Sequence, residues 1–241
     1  MGRERTTQCK AGITVGDLAE RAALRQIKRG YTNSDEETGD MAQATFDKAL
    51  VEAIGPSEGT ALRVKQAVLV VLGITLLAVS AQIKFPVPGS PVPVSLGTFG
   101  VLTIAAAYGP RLGLTTMLGW MIIGALGFDV FAGTSAEMNG LEYMMGGTGG
   151  YLVGYVLATV ALGWFARLGW DRSASKMAVA MLVGNALIYV PGLLWLGQLY
   201  GWDQPILAWG LTPFLVGDAL KLALAALLLP AAWKLVGKAR G

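Results

Sequence analysis

PFLVGDALK, residues Pro213 to Lys221, opens the last long apolar run of this chain. From Trp209 to Val236 nearly every residue is Leu, Ala, Val, Gly, Pro or aromatic, and the charges before Lys234 are Asp218 and Lys221. Side chains three apart share a helix face, so this carboxylate and ammonium point the same way. Pro213 suits a first helical turn, where its missing N–H costs nothing. Asp218 then lies about 7–8 Å into the helix at 1.5 Å per residue. A charge inside a membrane helix costs about 2.5–3.5 kcal/mol on insertion scales, and it faces a cavity or a partner rather than lipid. The alternative is a self-neutralising pair that only positions the helix. Polar surroundings elsewhere in the chain decide between the two.

The chain has 241 residues, 54% hydrophobic and 15% charged, with mean hydropathy +0.53. Repeated apolar runs near the span of a bilayer predict an all-α membrane protein. A net charge of +3 is too small to argue for nucleic acid. The one cysteine, Cys9, excludes an intrachain disulfide, and the absence of histidine removes Ser-His, Cys-His and HExxH chemistry together. No metal, cofactor or catalytic residue is therefore expected, and no secretory signal, because the first apolar run begins near Gln66.

Residues 1–40 differ in character from the rest of the chain. They hold seven basic and seven acidic side chains, 14 of the chain's 19 + 16 charges. They read as a polar extension with room for a short helix over Asp17–Arg29, and Met41 is the expected natural start. Residues 41–60 read as a linker whose Phe46, Leu50, Val51 and Ile54 recur at near-helical spacing. That spacing predicts either a short amphipathic helix at the membrane surface, ended by Gly55-Pro56, or a solvated linker helix. Residues 61–241 form the membrane domain. Spanning runs are expected at Gln66–Ile83, Val94–Tyr108, Leu112–Gly127, Gly149–Ala166, Met177–Tyr200 with a kink at Pro191-Gly192, and the opening stretch. Phe85–Pro93 is too proline-rich to be helical. In the fourth run Gly150, Gly154 and Ala158 make a small-residue ridge for close helix packing. The loop Phe128–Gly150 mixes glycines with Asp129, Glu137, Asn139, Glu142 and Thr148. Its Phe131, Tyr143, Met144 and Met145 argue for burial, as in a lid.

Lys and Arg in the short loops fall on one side, against Lys84 alone on the other. The positive-inside rule then predicts six helices with both termini cytoplasmic. The Pro-rich loop, the Gly-rich loop and Asp218–Lys221 converge on the external face. A cavity with one carboxylate and one ammonium suits a small polar molecule that offers N–H groups and carbonyl or carboxylate oxygens. The sequence holds no Walker A phosphate loop, so energy for transport must come from a partner.

PVPVSLGTFGVL (Pro91–Leu102), YGPRLG (Tyr108–Gly113), VFAG (Val130–Gly133), GGTGGYLVGY (Gly146–Tyr155) and PFLVGDALK together resemble the BioY family of biotin transport proteins. These are the substrate-binding S components of energy-coupling factor transporters. The resemblance implies a six-helix S-component bundle in the bacterial cytoplasmic (inner) membrane, with biotin as ligand and no enzymatic activity. It also implies a transmembrane T component and two cytoplasmic ATPases as partners. Some members work without an energising module, and whether this chain forms a homo-oligomer stays open. Position by position, the resemblance carries ligand binding to Asp218 and Lys221, and its GPTGGY motif falls on Gly146–Tyr151, which makes Thr148, Gly149, Gly150 and Tyr151 expected contacts; Asn139 and Tyr143 of the loop are the others. Gly147 stands where the family has proline, Ser95 where it has Thr and Gly97 where it has Gln. Residues 133–141 hold no arginine where many members carry one, so the group that meets the ligand's carboxylate is unassigned. An S component for another vitamin, such as thiamine or riboflavin, and an intramembrane enzyme are the competing readings.

Overall fold

A computed structural model describes residues 48–133 and 138–238, which belong to the unit Phe46–Gly241. The expectations for residues 1–40, for Met41 and for Phe46 lie outside the described residues.

The first helix, α1 (Gly59–Gln82), begins seven residues before the apolar run, because its first turns are polar and carry Arg63 and Lys65. Beyond it Lys84–Phe85 (β1) pairs antiparallel with Val94–Ser95 (β2), with Lys84 opposite Ser95, which closes the proline-rich loop. Two-residue strands leave no periodicity to read in a sequence. The expected second and third helices both form: α2 (Gly97–Ala125) spans the two, and its helical backbone is broken between them at Gly109. Gly109 has φ 75° and ψ 179°, a backbone shape open to glycine, and Pro110 then restarts the helix without an N–H to satisfy. A short helix α3 (Gly140–Met145) lies in the Gly-rich loop. Helix α4 (Gly149–Arg167) packs against α2 on one side and α5 (Ala174–Tyr200) on the other. The sequence predicts a kink at Pro191-Gly192, and α5 is helical through both positions. The Leu187 carbonyl, which proline deprives of its usual donor, lies against the bare backbone of Gly154. Helix α6 (Ile206–Gly210) and a 3₁₀ turn at Thr212–Phe214 lead into α7 (Leu215–Lys238), with Asp218 in its first turn.

Four stretches among the described residues are long and apolar enough to cross a membrane: Gly59–Gln82, Gly149–Arg167, Ala174–Tyr200 and Ile206–Gly237. Val64, Val68, Val71, Leu72, Leu76 and Val79 of α1 are all more than half exposed, as a lipid-facing surface requires. The arms of α2 are shorter and lie among neighbours, with Val101, Ala105, Met117 and Trp120 buried.

The described part of the linker differs from the amphipathic helix expected there. Residues 49–53 form one turn that straps the basic end of the bundle. Ala49 and Ala53 are buried, whereas Ile54 is exposed. The Val51 N–H donates to the Ala107 carbonyl at 3.1 Å, Arg167 pairs with Glu52 at 3.0 Å, and Lys65 donates to the Ile54 carbonyl at 2.5 Å. The small alanines are buried, with Ala49 against Gly109 of α2, and Leu50 packs partly into the core.

At the same end, the 3₁₀ turn Trp170–Arg172 joins α4 to α5 and buries Asp171 completely. Its Oδ2 accepts a hydrogen bond from Trp233 Nε1 on α7, and Arg172 sits 4.1 Å from the centroid of that indole ring. Burial pushes the Asp171 carboxyl up to about 6, against the smaller lowering effects of Trp233 and Arg172. The folded state therefore holds this proton up to higher pH than the unfolded chain, whose aspartates titrate near 3.9. Stability should fall as pH rises from about 4 to about 6, and should level off above that. Melting temperatures over this window test it: Asp171→Asn is expected to flatten the decline, and a parent-like slope in that variant would rule Asp171 out as its source.

Candidate ligand-binding site

Away from the basic end, α1, α2, α4, α5 and the turn before α7 line a narrow chamber with about 40 Å³ of room. Small-molecule sites run from roughly 300 to 1,000 Å³, so a ligand of that class must part these walls to enter. The walls are mainly aromatic, and the polar groups among them are few.

The aromatic side begins at Trp120. Phe131 meets it edge-on at 4.8 Å and stacks on Tyr143 at 5.2 Å and 14°. Phe131 can lie so deep because Gly124 is bare: a Cβ there would come within 2.1 Å of the ring. Three bonds hold the loop in place. Trp120 Nε1 donates to the Val130 carbonyl at 3.1 Å, Gln82 Nε2 to the Phe131 carbonyl at 3.2 Å, and the Gly133 N–H to the Tyr143 hydroxyl at 3.1 Å. Burial raises the Tyr143 phenol above its ordinary value, so it stays neutral at pH 7. Tyr151, Tyr155, Tyr189 and Phe214 complete the lining. Tyr151 donates to the Gly210 carbonyl at 2.9 Å and meets Tyr189 edge-on at 6.1 Å.

The charged pair lies directly behind this wall. Lys221 Nζ donates to Asp218 Oδ1 at 2.9 Å, to the Ser95 carbonyl at 2.8 Å and to Thr98 Oγ1 at 2.9 Å, which uses all three of its N–H groups. Tyr189 donates its hydroxyl to Asp218 Oδ2. Ser95, Thr98 and Tyr189 each line the chamber, so the pair stands one hydrogen bond from its surface. The side chains of Lys221 and Asp218 are only 11% and 7% exposed. Removing one partner of so buried a pair strands the other, at about 3–5 kcal/mol. A ligand that supplies replacement donors and acceptors can exchange with these bonds without that cost.

The other sequence-predicted residues divide. Tyr143, Thr148 and Tyr151 line the chamber. Gly149 and Gly150 lie behind it as packing positions: added Cβ atoms would fall 2.3 Å from the Met144 carbonyl and 2.4 Å from the Pro191 carbonyl. Asn139 precedes α3, exposed and outside the lining. Phe131 and Tyr143 are buried as expected of the loop, but Met145 is 62% exposed because it projects from the outer side of α3. Trp120 and Tyr189 fall outside the motifs read from the sequence, whereas Ser95, Thr98 and Tyr155 lie within them without an expected ligand role. A phenol inside an apolar run, such as Tyr189, was the available signal, since its hydroxyl needs a buried partner.

The family model described as BioY family matches residues 53–238. A protein of Pyrococcus horikoshii named "Probable biotin transporter BioY" is 34% identical over 167 residues, which cover 69% of this chain and 95% of that protein. "Biotin transporter BioY" of Thermotoga maritima is 30% identical over 153 residues, 64% of this chain and 86% of that one. The crystal structure of the S-component for biotin from an ECF-type ABC transporter superposes with a TM-score of 0.64 at 20% identity, over 73% of this chain and 95% of that one. That likeness is one of fold. With its membrane bundle matched almost end to end, this chain belongs to the BioY family.

Proposed function

We propose that this protein captures biotin from outside the cell, as the substrate-binding S component of an energy-coupling factor transporter in the bacterial inner membrane. One observation carries the choice of ligand. A carboxylate and an ammonium, held 2.9 Å apart, stand behind the polar edge of an otherwise aromatic chamber. Biotin's ureido group sets two N–H donors beside one carbonyl acceptor, and its fused rings are compact and largely apolar. The N–H groups suit Asp218, the carbonyl suits Lys221, and the rings suit Tyr143 and Tyr151. In this reading Thr148 contributes a hydroxyl, while Asn139, Gly149 and Gly150 shape the loop and its close packing. Both termini are cytoplasmic, and a T component with two ATPases supplies the energy that a chain without a phosphate loop cannot. Calorimetric titration of the purified protein with biotin, beside thiamine and riboflavin, tests the assignment. Binding of thiamine or riboflavin in place of biotin would move this chain to another vitamin.

The loop that brings Phe131 and Tyr143 to the chamber acts in this proposal as its lid, with glycines at 133, 140, 146 and 147 as the points that give. Biotin is expected to slow amide hydrogen exchange over residues 138–148 relative to the ligand-free protein. Equal exchange in both states counts against a lid.

A further inference from the structure

A second, smaller recess opens on the far side of the charged pair, between α2, α5 and α7. Thr98, Asn185, Asp218 and Lys221 supply its polar atoms, and Leu102 and Met181 close it. It leaves about 10 Å³ for the centre of a water molecule, room for one. Asn185 lies one helical turn from Tyr189, the residue that donates to Asp218. Its amide oxygen is buried and accepts no hydrogen bond from any described residue. A buried acceptor without a donor costs about 1–3 kcal/mol, and α5 around it is otherwise apolar from Val179 to Gly184.

We propose that Asn185 is a positioning residue of the ligand site: through one water in this recess, its amide fixes the Asp218–Lys221 pair at the chamber wall. The water donates to Asn185 Oδ1 and to the Asp218 carboxylate, and Thr98 is its third polar neighbour. Lys221 has no N–H left for it while bonded to Ser95, Thr98 and Asp218. Carboxylate and ammonium are thus restrained from the side opposite the ligand, which keeps both aimed at the chamber. The inference rests on the proposed ligand site, but part of its test needs no ligand.

The full chain is compared with Asn185→Leu, which keeps the volume and removes the amide, with Asn185→Ser, which keeps a polar group and admits the water, and with Thr98→Val. Asn185→Leu is expected to weaken biotin binding by about five- to tenfold, and Asn185→Ser to bind within about twofold of the parent. Combined with Thr98→Val, the loss from Asn185→Leu should be smaller than in the parent background, because both act on one shared element. Parent-like binding by Asn185→Leu, equal losses for Leu and Ser, or full additivity with Thr98→Val overturns the proposal. The same double-mutant comparison is made on melting temperatures without ligand, where non-additive shifts are expected and additive ones overturn it. A parent that binds no biotin therefore removes the proposed function but leaves the role of Asn185 decided. If Asn185→Leu fails to fold, Asn185→Ala is judged by the same criteria.

Discussion

Lys221→Met is expected to weaken biotin binding by roughly a hundredfold, and Asp218→Asn by roughly ten- to a hundredfold. Lysine is the larger loss because it organises more of the site. Its ammonium joins the start of α2, through Ser95 and Thr98, to the first turn of α7, through Asp218. Methionine fills the same space but leaves a buried carboxylate with the Tyr189 hydroxyl as its remaining partner in the wall. It also takes away the donor meant for the ureido carbonyl. Asp218→Asn keeps the shape and one carbonyl acceptor, and loses a charge-assisted bond worth about 1.5–3 kcal/mol. Calorimetry on variants whose melting temperatures remain cooperative separates binding from folding. If both variants fold and bind biotin as tightly as the parent, the pair only anchors α7, and the ligand site lies elsewhere in the chamber.

Those two residues stood out in the sequence because charge in an apolar run is costly, and cost makes a position conspicuous. The long helices were legible for a related reason: a bilayer demands apolar length, and hydropathy records it. What the sequence concealed depends on close contact. Ala49 and Ala53 seat the linker as a strap by being small enough to be buried, while Leu50 packs partly into the core and Ile54 is exposed. Tyr155 and Tyr189 lie in apolar runs, where a phenol is tolerated facing lipid, core or a cavity, so their place in the chamber lining has no sequence signal of its own. Thr98 carries a donor–acceptor group inside a helix, where its hydroxyl could as well have bonded its own backbone.

Gly154→Val should abolish biotin binding and lower stability by more than about 3 kcal/mol, the range reserved for named failures of packing. A Cβ at 154 would lie 2.6 Å from Ile188 Cα and 2.8 Å from the carbonyl oxygens of Ile188 and Leu187. These are backbone atoms of α5, so no side-chain rotamer relieves the clash and α4 and α5 must move apart. Gly150, one turn earlier, meets the Pro191 carbonyl in the same way, and Ala158, one turn later, is fully buried. The three small residues therefore form one continuous seam, which close packing of membrane helices requires. The two helices it joins both line the chamber, with Tyr151 and Tyr155 on α4 and Tyr189 on α5. Separating them by even about 1 Å, roughly the shift that relieves such overlaps, also pulls Tyr189 from Asp218 and opens the charged pair to solvent. Gly217 is the matched control: it too lies in a membrane helix, beside Asp218, but a Cβ there meets nothing within 4 Å. Gly217→Ala should leave affinity unchanged and hold or raise the melting temperature, since alanine gains up to about 1 kcal/mol over glycine in a helix. A folded Gly154→Val protein with parent-like melting temperature and affinity would mean that the α4–α5 seam tolerates separation, and that the chamber does not depend on it.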